Sequence, residues 1–209
     1  MTKLFQNISN KSKEKLLTSL YTHTYKYPKD RTILSSTKEE NVLFYIETGI
    51  VEIYKNNYSG IKEIIDTFED EDLFGTKLNN ISGNDYEIRT LEDTTITVID
   101  YDSLINYNKD SKDYLTLIKN LYEIMYTRIN DQNNQIEILS EKTIRNKLLK
   151  FFEIESNKHK SKYIYITEGF SALSTYLATD RSALSRELHN MEKEGFIEIK
   201  NKRITLLYR

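Results

Sequence analysis

Apolar residues recur along the 209-residue chain in three different rhythms. Residues 4–20 read as an extended lead followed by a short helix, capped near Ser9 or Ser12, with Leu16, Leu17 and Leu20 turned inward. From Tyr25 to Tyr101 the rhythm shortens to strand length. Six runs, Thr32–Leu34, Val42–Glu47, Ile50–Lys55, Lys62–Phe68, Tyr86–Leu91 and Thr95–Tyr101, are separated by turn residues. Alternation is clear in two of them. Val51, Ile53 and Lys55 oppose Glu52 and Tyr54, while Ile96, Val98 and Asp100 oppose Thr95, Thr97 and Ile99. Many short strands at regular spacing predict a β-barrel or β-roll. Gly49 and Gly60 fall where turns are needed, and Gly75, after the acidic run Glu69–Asp72, marks a place where backbone could approach a ligand.

From about Lys109 to Leu139 neither glycine nor proline interrupts a helical rhythm. Leu117, Leu121, Ile124 and Arg128 step at i, i+4, i+7 and i+11, with Tyr114, Met125, Ile136 and Leu139 extending the seam. A helix of about 30 residues spans roughly 45 Å, more than one small barrel can cover. The seam therefore predicts a partner helix, and a homodimer is the natural form. Ser140 is expected to cap a fresh helix in which Ile144, Leu148 and Phe151 face inward, so that a domain boundary falls near Leu139–Glu141. The expected division is residues 1–108, 109–139 and 140–209.

The last stretch, Phe170 to Leu207, predicts a short helix to about Leu177, a tight turn at Ala178 and Thr179, and a longer helix opening at Asp180. A hairpin follows Gly195. That order is a winged helix-turn-helix. In the longer helix Leu184, Leu188 and Met191 make one apolar stripe, which leaves Ser182, Ser185, Arg186, His189 and Lys193 on the opposite face, with Arg181 at its edge. A guanidinium fork matches the two acceptors of guanine in the major groove, and serine hydroxyls adapt to either partner, which makes Arg186 the first candidate for base readout. Amphipathic surface helices of purely structural role share this pattern.

Charge sharpens the picture where composition alone does not. The chain carries a formal net charge of −2, yet residues 140–209 hold 14 Lys+Arg against 9 Asp+Glu, and the acidic excess lies in residues 1–139. The basic part is the helix-turn-helix part, as phosphate neutralisation requires. Without cysteine there is no disulfide and no thiolate ligand for zinc or an iron-sulfur cluster. Met1 to Leu20 is polar and lysine-rich, and no apolar run approaches the length of a membrane span, so a cytoplasmic protein without membrane contact is expected. No glycine-rich phosphate loop, metal-ligand spacing or nucleophile elbow suggests an enzyme.

An α+β plan of N-terminal double-stranded, jelly-roll-like β-roll, long dimerisation helix and C-terminal winged helix-turn-helix resembles the Crp-Fnr superfamily of bacterial transcription regulators from end to end. The residues that carry the resemblance are "VLFYIETGIVEIYK" around a turn glycine, "DLFG", "EKTIRNKLLKFF" and, most specifically, "DRSALSRELHNMEKEGFIEIKNKRI". One departure is Ala178, where the family often has glycine, which costs about 1 kcal/mol if the position is left-handed. The resemblance implies a homodimer on double-stranded DNA, with RNA polymerase as a possible further partner. Arg181, Ser182, Ser185 and Arg186 would face the bases, His189 would lie beside them, and Thr179, Lys200, Lys202 and Arg203 would be near phosphate. Ser182 stands where the family often has glutamate, so carboxylate contact to cytosine is lost.

The sensory half departs further. Relatives that bind cyclic AMP use a glycine-glutamate pair and an arginine-serine pair. Here the first is Gly75-Thr76 and the second aligns with Asn84-Asp85, so the phosphate loses its charge-assisted bonds. The resemblance thus implies an effector other than cyclic AMP, in a modified pocket that Gly75, Thr76, Lys77, Arg89 and Arg128 could line. Arg128 could equally bond to a carboxylate or carbonyl at a dimer seam. Neither an iron-sulfur cluster nor haem is expected, since the histidines His23, His159 and His189 suit ordinary surface roles. The alternative is a metabolite-sensing roll that acts through protein contacts and carries a vestigial helix-turn-helix.

Overall fold

The computed structural model describes residues 2–34, 41–56, 62–76, 81, 86–107, 111–167 and 169–208; Gly60, Lys77, Asn84 and Asp85, singled out above, lie outside them. The chain folds as two units, Met1–Arg128 and Ile129–Arg209.

In the first unit a turn at Lys3–Phe5 leads into helix α1 (Asn10–Ser19), whose N-cap Ser9 accepts the Ser12 amide at 3.2 Å. The strands are β1 (His23–Tyr27), β2 (Thr32–Leu34), β3 (Val42–Thr48), β4 (Val51–Asn56), β5 (Lys62–Phe68), β6 (Leu73–Gly75), β7 (Tyr86–Thr90) and β8 (Thr94–Asp100). They form two antiparallel four-stranded sheets, ordered β1-β8-β3-β6 and β2-β7-β4-β5. The six predicted runs match to within a residue or two. Strands β1 and β6 were missed because "HTYKY" is almost wholly exposed and "LFG" is only three residues long.

Strand β3 explains why its run is continuously apolar rather than alternating. Phe44 and Ile46 join Val51, Ile53, Phe68, Phe74, Ile88 and Ile96 in a core drawn from both sheets. Leu43 and Tyr45, on its other face, join a second core with Leu4, Phe5, Ile8, Leu16 and Leu20. Both faces of β3 are therefore dry. Burial pushes the Tyr45 phenol up to about 12. After β8 come α2 (Tyr101–Asn106), capped by Asp100, and α3 (Lys112–Ser140).

Helix α3 corrects the predicted seam. Tyr114, Leu117, Leu121 and Ile124 are buried in the second core, packed with α1, β3 and β8, and so are not available to a partner helix. Buried Asn120 on the same helix donates its amide to the carbonyls of Leu4 and Gln6, both at 2.9 Å, and ties down the N-terminal lead. A second stripe runs beside these buried residues, and two of its members, Ile118 and Met125, are partly buried against the same core. Leu115, Ile118, Tyr122, Met125, Ile129, Gln132, Ile136 and Leu139 repeat at the 3-4 spacing of a heptad seam. Leu115, Tyr122, Ile129 and Ile136 in that stripe are 56%, 65%, 51% and 64% exposed. The helix is thus apolar on two sides, and the seam predicted from the sequence draws members from both.

In the second unit Ser140 ends α3 rather than capping the next helix. Its hydroxyl donates to the Ile136 carbonyl at 2.6 Å, a local bond within its own helix. The cap of α4 (Ile144–His159) is Thr143, which accepts the Asn146 amide at 3.1 Å. Strand β9 (Tyr163–Tyr165), α5 (Phe170–Tyr176), α6 (Arg181–Lys193), β10 (Ile197–Lys200) and β11 (Arg203–Leu206) follow, with a three-stranded sheet ordered β10-β11-β9. Ile138, Leu148, Phe152, Leu173, Leu177, Leu184, Leu188, Met191 and Ile204 share one core. Phe152, not Phe151, is the fully buried member of its pair on α4. The α5–α6 turn holds Ala178 at φ 47°, so the position is left-handed, a conformation that costs a β-carbon roughly 1–2 kcal/mol.

Candidate nucleic-acid interface and effector pocket

Helix α6 is fixed at both ends by its own sequence. The Asp180 carboxylate accepts the Ala183 amide at 2.9 Å, and this bond, with further ones to Ser182, holds the carboxyl below its ordinary range. At the other end Gly195 takes φ 77°, which closes the helix. Leu184, Leu188 and Met191 are buried, while Arg181, Ser182, Ser185, Arg186 and His189 are exposed on the other side. Arg186 makes only a long 3.4 Å contact from Nε to the Ser182 carbonyl, and among the described residues neither it nor Arg181 is in an ion pair.

The acids of α6 are taken up elsewhere. Arg145 on α4 donates from Nε to Glu187 at 2.5 Å and grips Glu194 with both terminal nitrogens, at 2.6 and 2.8 Å. These paired bonds raise the Arg145 guanidinium and hold Glu194 below the usual carboxylate range. Glu192 accepts the Ile199 amide at 2.9 Å. The outward side of α6 is therefore cationic and hydroxyl-bearing, with its nearby carboxylates already satisfied. Sequence reading missed Arg145. Its partners lie 42 and 49 residues away, and only an arginine among the apolar positions of α4 hinted at it.

The remaining interface candidates are less free. Thr179 donates its amide to the Ser174 carbonyl at 2.9 Å. Lys202 is exposed but donates to the Thr167 carbonyl at 2.7 Å, Lys200 pairs with Glu198 at 2.7 Å, and Arg203 lies 5.4 Å from the centre of the Tyr163 ring. His189 stands 4.0 Å from Glu192, and His159 3.4 Å from Glu155.

Of the five effector-pocket candidates Lys77 lies outside the described residues, and both arginines are paired with carboxylates. Gly75 is glycine because β3 lies against it, since a β-carbon there would sit 2.9 Å from the Val42 carbonyl oxygen. The close backbone approach expected of a ligand is thus made by the protein itself. Thr76 is buried, with its hydroxyl 3.4 Å from the Val42 amide. Arg89 on β7 pairs with Asp30 at 3.5 Å. Arg128 is bonded to Asp66, to Asp72 at 3.3 Å and to the Thr67 carbonyl at 3.0 Å, and its guanidinium lies 4.7 Å from the centre of the Phe68 ring. The bonding to carboxylates and a carbonyl is as the second reading had it, but the partners come from the roll and not from a dimer seam. Among the described residues no cluster of three or more His, Asp or Glu could hold a metal ion, and no helix is long and apolar enough to cross a membrane.

Residues 24–110 match the cyclic nucleotide-binding domain family. CprK in complex with OCPA is similar over 93% of this chain and 89% of its own, with a TM-score of 0.65 at 14% identity. A CooA variant from Carboxydothermus hydrogenoformans is similar over 99% and 95%, with a TM-score of 0.59 at 20% identity. The chain has the Crp-Fnr fold. The c-di-GMP responsive global regulator CLP of Xanthomonas campestris extends this Crp-Fnr likeness over 96% of this chain and 100% of its own, with a TM-score of 0.51 at 14% identity. None of the curated proteins matches the chain.

The Arg145–Glu194 pair generates an acid-side prediction. A carboxyl whose folded pKa is depressed contributes stability that is present above its unfolded value, near 4.5, and lost as pH falls through the folded one. In urea unfolding, wild type should exceed Arg145→Met in midpoint at neutral pH, and the gap should close as pH drops below about 4.5. A gap independent of pH would show that the pair is not its source.

Proposed function

We propose that the protein is a homodimeric, sequence-specific DNA-binding transcription regulator whose α6 enters the major groove. The observation that carries this reading is the outward side of α6, where Arg181, Ser182, Ser185 and Arg186 are exposed while Arg145 neutralises Glu187 and Glu194. A carboxylate left free beside that side would repel phosphate, so the Arg145 bridge suits DNA as well as it suits packing. Arg186, loosely held, is the base-reading residue, and Thr179 and Lys202 contribute phosphate contacts that position without specifying.

The dimer forms through the outer heptad stripe of α3, centred on Tyr122, Ile129 and Ile136. Burying such a stripe against its copy removes several large apolar side chains from water, each worth about 1.5–3 kcal/mol. Two α6 helices then meet half-sites one helical turn apart, about 34–36 Å. The residues on either side of Leu139–Glu141 serve as the hinge between a 1–108 sensory roll with its 109–139 helix and a 140–209 DNA-binding part.

Cyclic AMP is not the effector in this reading. Thr76 is buried against β3, and Arg89 and Arg128 already hold carboxylates, so no guanidinium among these candidates is left for a cyclic phosphate. Solved proteins of this fold include one complexed with OCPA and one responsive to c-di-GMP, so the fold is not tied to one ligand. No iron-sulfur cluster or haem takes part, and the protein works without catalysis in the cytoplasm.

Three outcomes test the proposal. In binding titrations on operators selected from random DNA, Arg186→Ala should lose roughly 1–3 kcal/mol of discrimination at one base pair, and unaltered selectivity would remove Arg186 from the readout. Ile129→Asp should convert the dimer to monomer in sedimentation equilibrium and abolish site-specific binding; a surviving dimer would place the interface elsewhere. Calorimetry with cyclic AMP should show no heat of binding, and a micromolar affinity would overturn that part of the reading.

A further inference from the structure

The base-facing end of α6 is set by the turn that precedes it, and a group from outside that turn holds it. Leu177, buried in the core of the second unit, ends α5, and its carbonyl accepts a hydrogen bond at 2.9 Å from Nζ of Lys147 on α4. Helix ends leave carbonyls of this kind without a partner in their own helix, and here a charged donor from a neighbouring helix takes the place. Lys147 is partly buried, and among the described residues it forms no ion pair.

The Leu177 carbonyl and the Ala178 amide are two edges of one rigid peptide plane. The amide edge donates to the Thr175 carbonyl at 3.0 Å and the carbonyl edge accepts from Lys147, so the plane is gripped on both sides. Rotation out of that plane is the φ angle of Ala178, which stands at 47°, a left-handed value that a residue with a β-carbon keeps only where its surroundings hold it. Thr179, whose amide bonds back to Ser174 at 2.9 Å, and Asp180, the cap of α6, follow directly. The direction in which α6 sets out therefore depends on a plane that Lys147 holds. A helix of 13 residues is about 20 Å long, so a tilt of about 10° moves one end against the other by roughly 3 Å, enough to break a hydrogen bond. Two residues earlier on α4, Arg145 secures the middle and C-terminal end of α6 through Glu187 and Glu194. One helix thus mounts α6 at both ends.

We propose that Lys147 is a positioning residue for DNA recognition, which acts through the α5–α6 turn to aim Arg181, Ser182 and Arg186 at base edges and makes no phosphate contact of its own. The inference rests on the reading of α6 as the helix that enters the groove. It assigns Lys147 to specificity and not to affinity at large, because binding to arbitrary sequence depends on phosphate charge and not on the aim of α6.

Titrations of the full chain test it, with an operator selected from random DNA and a scrambled duplex of equal length, over a range of salt concentrations. Lys147→Met keeps the apolar stem and removes the donor. It should lower the ratio of operator to scrambled affinity by about tenfold or more, with the salt dependence on the scrambled duplex unchanged. Lys147→Arg, which still donates, should keep the wild-type ratio. Hydrogen exchange without DNA is the second readout, and the Ala178 and Thr179 amides should exchange faster in Lys147→Met than in wild type. Equal weakening on both duplexes, with the salt slope reduced by about one, would make Lys147 a phosphate contact and overturn the proposal. A lower thermal midpoint with the ratio intact would reduce it to packing, and unchanged exchange at Ala178 would remove its hold on the turn. A wild type with no preferred site would overturn the reading of α6 and this inference with it, whereas a selective wild type beside an equally selective Lys147→Met overturns this inference alone.

Discussion

The first unit is organised by a constraint on one helix: α3 must keep Tyr114, Leu117, Leu121 and Ile124 dry against the roll. That single burial ties three elements distant in sequence. The N-terminal lead supplies Leu4, Phe5 and Ile8, the first sheet supplies Leu43, Tyr45 and Ile99, and Asn120 satisfies two backbone carbonyls that packing would otherwise strand. The outer heptad stripe lies beside this inner side, and Ile118 and Met125 reach from it into the same core. A helix apolar on two sides is poorly matched to water unless a second partner covers it.

In the second unit the organising group is a charge. Arg145 draws two carboxylates of α6 and its C-cap toward α4, and in doing so decides which side of α6 is left cationic. Packing and electrostatics act together here, since the same α6 register that buries Leu184, Leu188 and Met191 carries Glu187 toward Arg145 and Arg186 away from it.

Much of this was legible in the chain itself. Local signals located the strands, because alternation and turn residues are local, and Asp180 and Gly195 bounded α6 for the same reason. The turn at Ala178 and Thr179 was legible, whereas the left-handed backbone of Ala178 entered only as a condition. What escaped was non-local. The rhythm of α3 contains two apolar stripes roughly 100° apart, and nothing within the helix says which belongs to the roll. Ser140 looked like a cap because serine favours caps, but α3 includes Ser140 as its last residue, and Thr143, three residues on, caps α4. Gly75 looked like an invitation to a ligand, whereas the tight neighbour is β3. Arg89 and Arg128 read as spare cations because Asp30, Asp66 and Asp72 are 56 or more residues away in sequence.

The position of Arg128 has a mechanical side. It is the last residue of the first unit, and its guanidinium fastens α3 to two aspartates of the roll just where the division of the chain falls. The side chains of that fastening are about a quarter exposed, at 27% for Arg128 and 23% and 24% for the aspartates. A hydrophobic rivet would hold equally at any ionic strength, whereas a half-wet ionic one slackens as salt accumulates around it. Salt therefore loosens this one fastening, and only modestly, while the burial of Tyr114, Leu117, Leu121 and Ile124 keeps the helix on the roll.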